Sequence, residues 1–397
     1  MRRRSGMANP RDDALDEALN AAIGAGIPFV IAGTTSPTAT TFLRAAGIRS
    51  PATSTPATED TVFALYSVTK LFTTTAALQC VEEGLLDLDA PARTYLPEIG
   101  DLEVLVSLDD DGTMITRPPA REITPRMLLL HTAGIGYDMF DARCALIARS
   151  RAQRPSATPL RDTLSTPLLH DPGERWTYGM SIDWLGLIVA ALRGRRLEEV
   201  FRERIYAPCG MTSTSFDVPE GMRARLATPH RRGRDGVIAP TAFSPPATPE
   251  LDMGGQGLFS TVPDLLALLR VWLGDGSAPG GQVLRPETID WAMRGEPGVT
   301  VTPLQAAIPA LTREVEFLPG IRTSWGYSFL VNEEDVPGGR RDGSVSWAGL
   351  GNTHYWIDRA SGIAGVWATQ LLPFYDPAAA DGAAAFERAV YAERTPR

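Results

Sequence analysis

Ser67-Val68-Thr69-Lys70 is the stretch on which the reading of this 397-residue chain turns. Of its 38 lysine and arginine side chains, Lys70 is the one lysine. The two cations differ chemically: an ammonium loses its proton when buried or set beside other positive charge, whereas a guanidinium stays protonated. A chain that uses arginine wherever positive charge suffices, and lysine once, marks a place where a neutral amine is wanted. Ser67, three residues earlier, is the group such an amine would serve, because a hydroxyl is a poor nucleophile until a base takes its proton during attack. A leftover surface lysine is the plain alternative, and it accounts for none of the features that follow.

Asp60-Thr61-Val62-Phe63-Ala64-Leu65-Tyr66 leads into the serine, and beyond it Leu71, Leu78, Val81 and Leu85 recur at helical intervals, with Gly84 near the stop. Ser67 and Lys70 therefore project from one face of a helix start. The positive end of that helix disfavours an ammonium at Lys70 and leaves backbone N–H groups free near Ser67. One of them can hold the oxyanion of a tetrahedral intermediate, which contributes about 3–4 kcal/mol per donor.

Further out, residues 11–24 have helical apolar spacing and GIPFVIAG (Gly26 to Gly33) reads as a strand, followed by a Thr- and Pro-rich connection to Thr58. Leu102 to Arg117 reads as a hairpin broken at Asp109-Asp110-Asp111-Gly112. Those aspartates lack the alternation and closing glutamate of a calcium loop, so a turn is expected. Residues 124–216 read mostly as helices, 230–256 as loop, and 262–273 and 286–294 as helices. Ser344 to Trp347, His354 to Ile357 and Gly365 to Gln370 are short strand candidates before a closing helix over 377–393. Strands at both ends with helices between predict an α/β layer closed by the two ends of the chain.

A net charge of −9 argues against nucleic acid as a partner. No run approaches the roughly 18 apolar residues of a membrane span. Arg2 to Arg4 form a basic tip followed by Asp12, Asp13 and Glu17 rather than an apolar run, and read as a disordered start instead of a targeting signal. Cys80, Cys144 and Cys209 are odd in number and lack metal spacing, so they read as buried free thiols of a cytoplasmic protein. The four histidines show no paired metal spacing either, and neither metal nor cofactor is expected.

A second proton carrier is needed for the leaving group. Tyr178, in Trp176-Thr177-Tyr178-Gly179-Met180-Ser181 just past the Asp171-Pro172-Gly173 turn, is the candidate, since a phenol beside a lysine can shuttle a proton. His131 reads as structural, at a helix end.

With Ser67-x-x-Lys70, a tyrosine motif about 110 residues on and Trp347-Ala348-Gly349-Leu350 near the C-terminus, the chain resembles the serine β-lactamase and penicillin-binding-protein superfamily. Within it the chain is most similar to family VIII carboxylesterases and lovastatin-type acyltransferases. Supporting stretches are Ala77 to Asp89, Leu129-Leu130-His131-Thr132-Ala133-Gly134 and Gly254-Gly255-Gln256-Gly257-Leu258-Phe259-Ser260, and the likeness spans nearly the whole chain. It implies an α+β fold, with an antiparallel sheet from both chain ends flanked by helices. Residues 1–91 and 217–397 would form one discontinuous α/β domain and 92–216 an inserted, mostly helical one. It also implies Leu350 N–H as the second oxyanion donor beside Ser67 N–H. Trp347 would line the acyl site, with Gly349, Met180 and Tyr137 at the substrate.

The departures narrow the chemistry. The lactamase tyrosine motif ends in asparagine, where Met180 stands here, and the lactamase Lys-Thr-Gly is replaced by the uncharged Trp347-Ala348-Gly349. A site without those polar anchors favours uncharged esters with apolar acyl groups. No G-x-S-x-G elbow points to an α/β-hydrolase. The expected activity is a cofactor-free serine carboxylesterase acting on short-to-medium acyl esters. Acyl transfer to an alcohol acceptor is the alternative, followed by weak β-lactamase or D-amino-acid peptidase activity, and by an inactive scaffold.

Overall fold

The computed structural model describes residues 10–152 and 159–392, so the basic tip at Arg2 to Arg4 lies outside the described residues. Helix α1 (Pro10–Gly24) leads into strands β1 (Phe29–Thr35), β2 (Thr40–Ser50) and β3 (Thr55–Pro56). Helix α2 (Thr69–Glu82) carries Lys70 in its first turn, and Ser67 sits just before it in a 3-10 turn, Tyr66–Val68. After a hairpin (Val104–Leu108 with Met114–Arg117) come several short helices, then α3 (Ser181–Arg193) and α4 (Val262–Leu273). The chain closes with β4 (Thr323–Trp325), β5 (Leu330–Asn332), β6 (Val345–Gly349), β7 (Thr353–Asp358), β8 (Ile363–Ala368) and α5 (Pro377–Tyr391).

The eight strands form one sheet in the order β4-β5-β6-β7-β8-β1-β2-β3, with antiparallel neighbours. The two ends of the chain meet where β1 pairs with β8, Ile31 opposite Ala368 and Thr35 opposite Ala364. Successive side chains of a strand face opposite ways, and β1 is buried on both. Phe29 and Ile31 enter the main core with α2 and α4, while Val30 and Ala32 join Leu15, Leu19, Trp367 and Phe386 beneath α1 and α5. That two-sided burial explains the near-continuous apolar run FVIA, from which a strand was legible.

Strand β2 is the principal element absent from the expectation, which had a connection there. Its pattern, TTFLRAAGIRS, is half exposed along most of its length and lacks clean alternation, so pairing with β1 rather than side-chain periodicity makes it a strand. The stretch expected as loop over 230–256 contains two short strands, His230–Arg232 and Ile238–Pro240. The triple aspartate is a turn: Gly112 N–H donates to Asp109 O at 2.9 Å, with Gly112 at φ +85°. No helix among the described residues is long and apolar enough to cross a membrane.

Candidate active site

The turn before α2 presents the nucleophile candidate. Tyr66 has φ +46°, a left-handed conformation that costs a non-glycine residue of order 1 kcal/mol or more. Its hydroxyl donates to Phe243 O (3.1 Å) and its ring stacks on Phe243, so packing holds the unfavourable backbone in place. Behind it, the end of β6 abuts the same turn: a Cβ on Gly349 would overlap the carbonyl of Leu65. Leu350 follows directly on β6, so its backbone sits beside the turn that carries Ser67.

Lys70 is 1% exposed, an environment in which a lysine is costly unless its N–H groups are matched. Its Nζ lies 3.2 Å from Ser67 Oγ, 3.1 Å from Tyr137 Oη and 2.8 Å from Gly255 O. The rings of Tyr137 and Tyr178 lie 5.2 and 4.9 Å from the nitrogen, measured to their centroids. The Gly255 carbonyl is delivered by a loop pinned to α2: Thr73 Oγ1 donates to Gly254 O (2.6 Å), and Thr69 Oγ1 accepts from Leu258 N–H (3.2 Å). Thr69 and Thr73 are one turn apart, so one helix face holds both Lys70 and the loop that receives it.

Asp183, on α3, completes the arrangement and was not singled out from sequence. It is 1% exposed; its Oδ2 accepts from Tyr137 Oη (3.2 Å) and its Oδ1 from Gly255 N–H (2.8 Å). Burial pushes its carboxyl upward from the usual range, opposed by the Lys70 charge and by those donors. Burial also raises the Tyr137 phenol well above 10, with the Asp183 charge adding to it, so this tyrosine stays protonated. A signal did exist: Asp183 is the one charged residue of α3 before Arg193.

Of the two tyrosines expected here, Tyr137 makes the hydrogen bond to Lys70. It lines the pocket with its ring while its hydroxyl turns inward to the amine and the carboxylate. Tyr178 packs its ring near the amine, and its hydroxyl accepts from Trp347 Nε1 at 2.9 Å. His131 is fully buried at φ +54°, just past the helix Pro125–Leu129. Its carbonyl accepts from Thr177 N–H (2.7 Å) and its Nδ1 from Gly179 N–H (3.4 Å), so it shapes the Tyr178 loop. Burial, with help from Lys70, holds its imidazole well below 6.5 and neutral.

A narrow pocket opens over Ser67, walled by Tyr66, Met139, Phe140, Trp347, Leu350 and Phe374, with Gln256 as a neutral polar member. Among the described residues, no charged side chain lines it. Trp347 and Leu350 are therefore at the pocket, whereas Met180 and Gly349 are not among its lining residues. Met180 is buried at the N-cap of α3, and Gly349 serves the close approach of β6 to Leu65. Alongside lies a wider cleft of about 430 Å³, which shares Phe140, Tyr178 and Leu304 with the pocket.

A Ser-x-x-Lys at a helix start, set against strand β6 of an antiparallel sheet, defines a class, the serine β-lactamase and penicillin-binding-protein fold. The chain belongs to the Beta-lactamase family, whose model matches residues 19–389. It is 32% identical over 349 residues to the monacolin J acid methylbutanoyltransferase of Aspergillus terreus, covering 85% of this chain and 84% of that one. It is also 32% identical over 345 residues to the lovastatin esterase of Penicillium rubens, covering 84% and 85% of the two chains. The structure of simvastatin synthase from Aspergillus terreus superposes with a TM-score of 0.82 at 29% identity, over 98% of this chain and 100% of that one.

Proposed function

We propose that the chain is a serine esterase that forms an acyl-enzyme on Ser67 from an uncharged ester. The observation that carries this reading is a fully buried lysine amine 3.2 Å from the serine oxygen. In its neutral form Lys70 takes the Ser67 proton as Oγ attacks the ester carbonyl, and the oxyanion rests on the Ser67 and Leu350 amides. Because Trp347 Nε1 donates to Tyr178 Oη, that hydroxyl's own proton is left to point elsewhere, and Tyr178 lines the pocket. Tyr178 is thus suited to protonate the departing alkoxide, and the proton that Lys70 took from Ser67 then replaces the one the phenol gave up, returning Lys70 to its neutral form. Water then attacks the acyl-enzyme carbonyl, giving its proton to neutral Lys70, and that proton returns to Ser67 Oγ as the acyl bond breaks and the acid leaves. The uncharged, aromatic pocket supports apolar acyl groups, and the buried thiols of Cys80, Cys144 and Cys209 support a reducing, cytoplasmic setting.

The second reading is transfer of the same acyl group to an alcohol acceptor. The wide cleft beside the pocket favours it, since it gives room for a second substrate next to the acyl-enzyme, and related chains include a methylbutanoyltransferase as well as an esterase. Turnover of p-nitrophenyl butyrate tests the first reading. Lys70→Arg, which keeps charge but loses basicity, should fall by about 10²–10⁴-fold, to near Ser67→Ala; wild-type turnover in Lys70→Arg sinks the base role. Product analysis with an added alcohol decides between hydrolysis and transfer.

A further inference from the structure

A neutral amine has two N–H donors and one lone pair. As a base toward Ser67, Lys70 must spend both donors elsewhere so that its lone pair faces the serine proton. The Gly255 carbonyl, at 2.8 Å, can only accept, and it takes one donor. The Tyr137 hydroxyl, at 3.1 Å, can either donate or accept, and nothing in the phenol itself decides which. Asp183 decides it. Its Oδ2 binds the Tyr137 proton (3.2 Å), which obliges the phenol oxygen to accept from Lys70. Its Oδ1 binds Gly255 N–H (2.8 Å), which fixes the peptide whose carbonyl takes the other donor.

We infer that Asp183 is a positioning residue that aims the lone pair of Lys70 at Ser67 through Tyr137 and Gly255. The inference rests on Ser67 and Lys70 acting as nucleophile and base. Both non-serine contacts of the amine lead back to this one carboxylate. The fit leaves no slack, because a Cβ on Gly255 would overlap the Asp183 carboxylate. When Ser67 Oγ bonds to the carbonyl carbon, its proton moves to Lys70 Nζ, and the resulting ammonium is balanced through the same two contacts by the Asp183 charge. The ionisable groups facing this unit are Lys70 on α2, Tyr137 and Tyr178 from the loops beside the pocket, and neutral His131 at the end of Pro125–Leu129.

Asp183→Asn keeps shape but reverses the hydrogen bond to Tyr137. Its carbonyl stays on Gly255 N–H, so its NH₂ donates to Tyr137, whose proton then turns onto the Lys70 lone pair. The test is the rate at which a fluorophosphonate labels Ser67, read against pH, in wild type, Asp183→Asn, Tyr137→Phe and the double variant. Asp183→Asn should label at least ~100-fold slower than wild type with an unchanged thermal midpoint near pH 7, within the 10²–10⁴ range of general-base catalysis. The double variant should be no slower than the slower single, because both act on one hydrogen-bond chain. Wild-type labelling with an unaltered rate and pH profile in Asp183→Asn overturns the inference and leaves the Ser67–Lys70 reading standing. Multiplicative losses in the double variant also overturn it. Failure of the wild type to label overturns the Ser67–Lys70 reading itself.

Discussion

Trp347 Nε1 donates a 2.9 Å hydrogen bond to the Tyr178 hydroxyl, and the two rings meet edge to face at 4.9 Å. One residue comes from β6 and the other from the loop before α3, so this bond ties the sheet to the helical side of the pocket. It also fills an acceptor position on the phenol, which turns the phenolic proton toward other partners.

Removing the phenol or its anchor should therefore have unequal effects. Tyr178→Phe loses the proton and should lower ester turnover by about 10²–10⁴-fold, the usual contribution of a positioned acid. Trp347→Phe keeps the proton but loses its orientation, and a smaller fall is expected. Steady-state kinetics on an activated and an unactivated ester checks it: the Tyr178→Phe defect should be larger for the poorer leaving group. Equal defects on both esters would remove Tyr178 from the proton path.

Gly349→Ala should damage activity far more than its single methyl suggests. The added Cβ meets the carbonyl of Leu65, so β6 must retreat from the turn that carries Ser67. Leu350 N–H would retreat with it, and misplacement by about 1 Å costs about 100-fold in rate. A variant that folds, binds substrate normally and loses about two orders of magnitude in kcat is the expected result.

Met180→Asn restores the residue that lactamases carry at this place, yet no gain of nitrocefin turnover is expected. Met180 is 4% exposed and outside the pocket lining, so the amide would be buried without substrate to bind. A buried polar group lacking partners costs about 1–3 kcal/mol. A lower Tm in a thermal melt with nitrocefin turnover still at background is the outcome that fits.

Acid should destabilise the fold through its histidines. Burial lowers all four, His131 well below 6.5 and His354 to about 4. Below pH 6.5 the unfolded chain binds protons that the folded chain refuses, so stability is complete above that pH and declines from 6.5 toward 4. Tm measured from pH 7 to pH 5 should fall, and His131→Gln should show a shallower fall. An identical slope in the variant would mean that His131 contributes nothing to it.

Much of the architecture was legible because burial leaves periodic marks. α2, α4 and the strands β1, β6, β7 and β8 lie in the core, and their apolar spacing fell close to the observed bounds. β2, β4 and β5 were not read. β2 is largely half exposed, and β4 and β5 are three residues each, too short to show a period. In the site, the scarcity of lysine singled out Lys70, and it singled out Ser67 through the three-residue interval. The same logic has no purchase on Tyr137 against Tyr178, since nine tyrosines carry no such contrast.

The sequence by itself determined that a helix start would hold a serine and a unique lysine on one face, because that spacing is local and helical geometry needs no distant partner. Only the tertiary structure decided what the lysine's other hydrogen bonds would be. Tyr137, Gly255 and Asp183 lie 67, 185 and, from Tyr137 to Asp183, 46 residues apart along the chain. Their meeting is set by how α3 and the Gly254–Leu258 loop pack on α2, and no local spacing in the sequence encodes that packing.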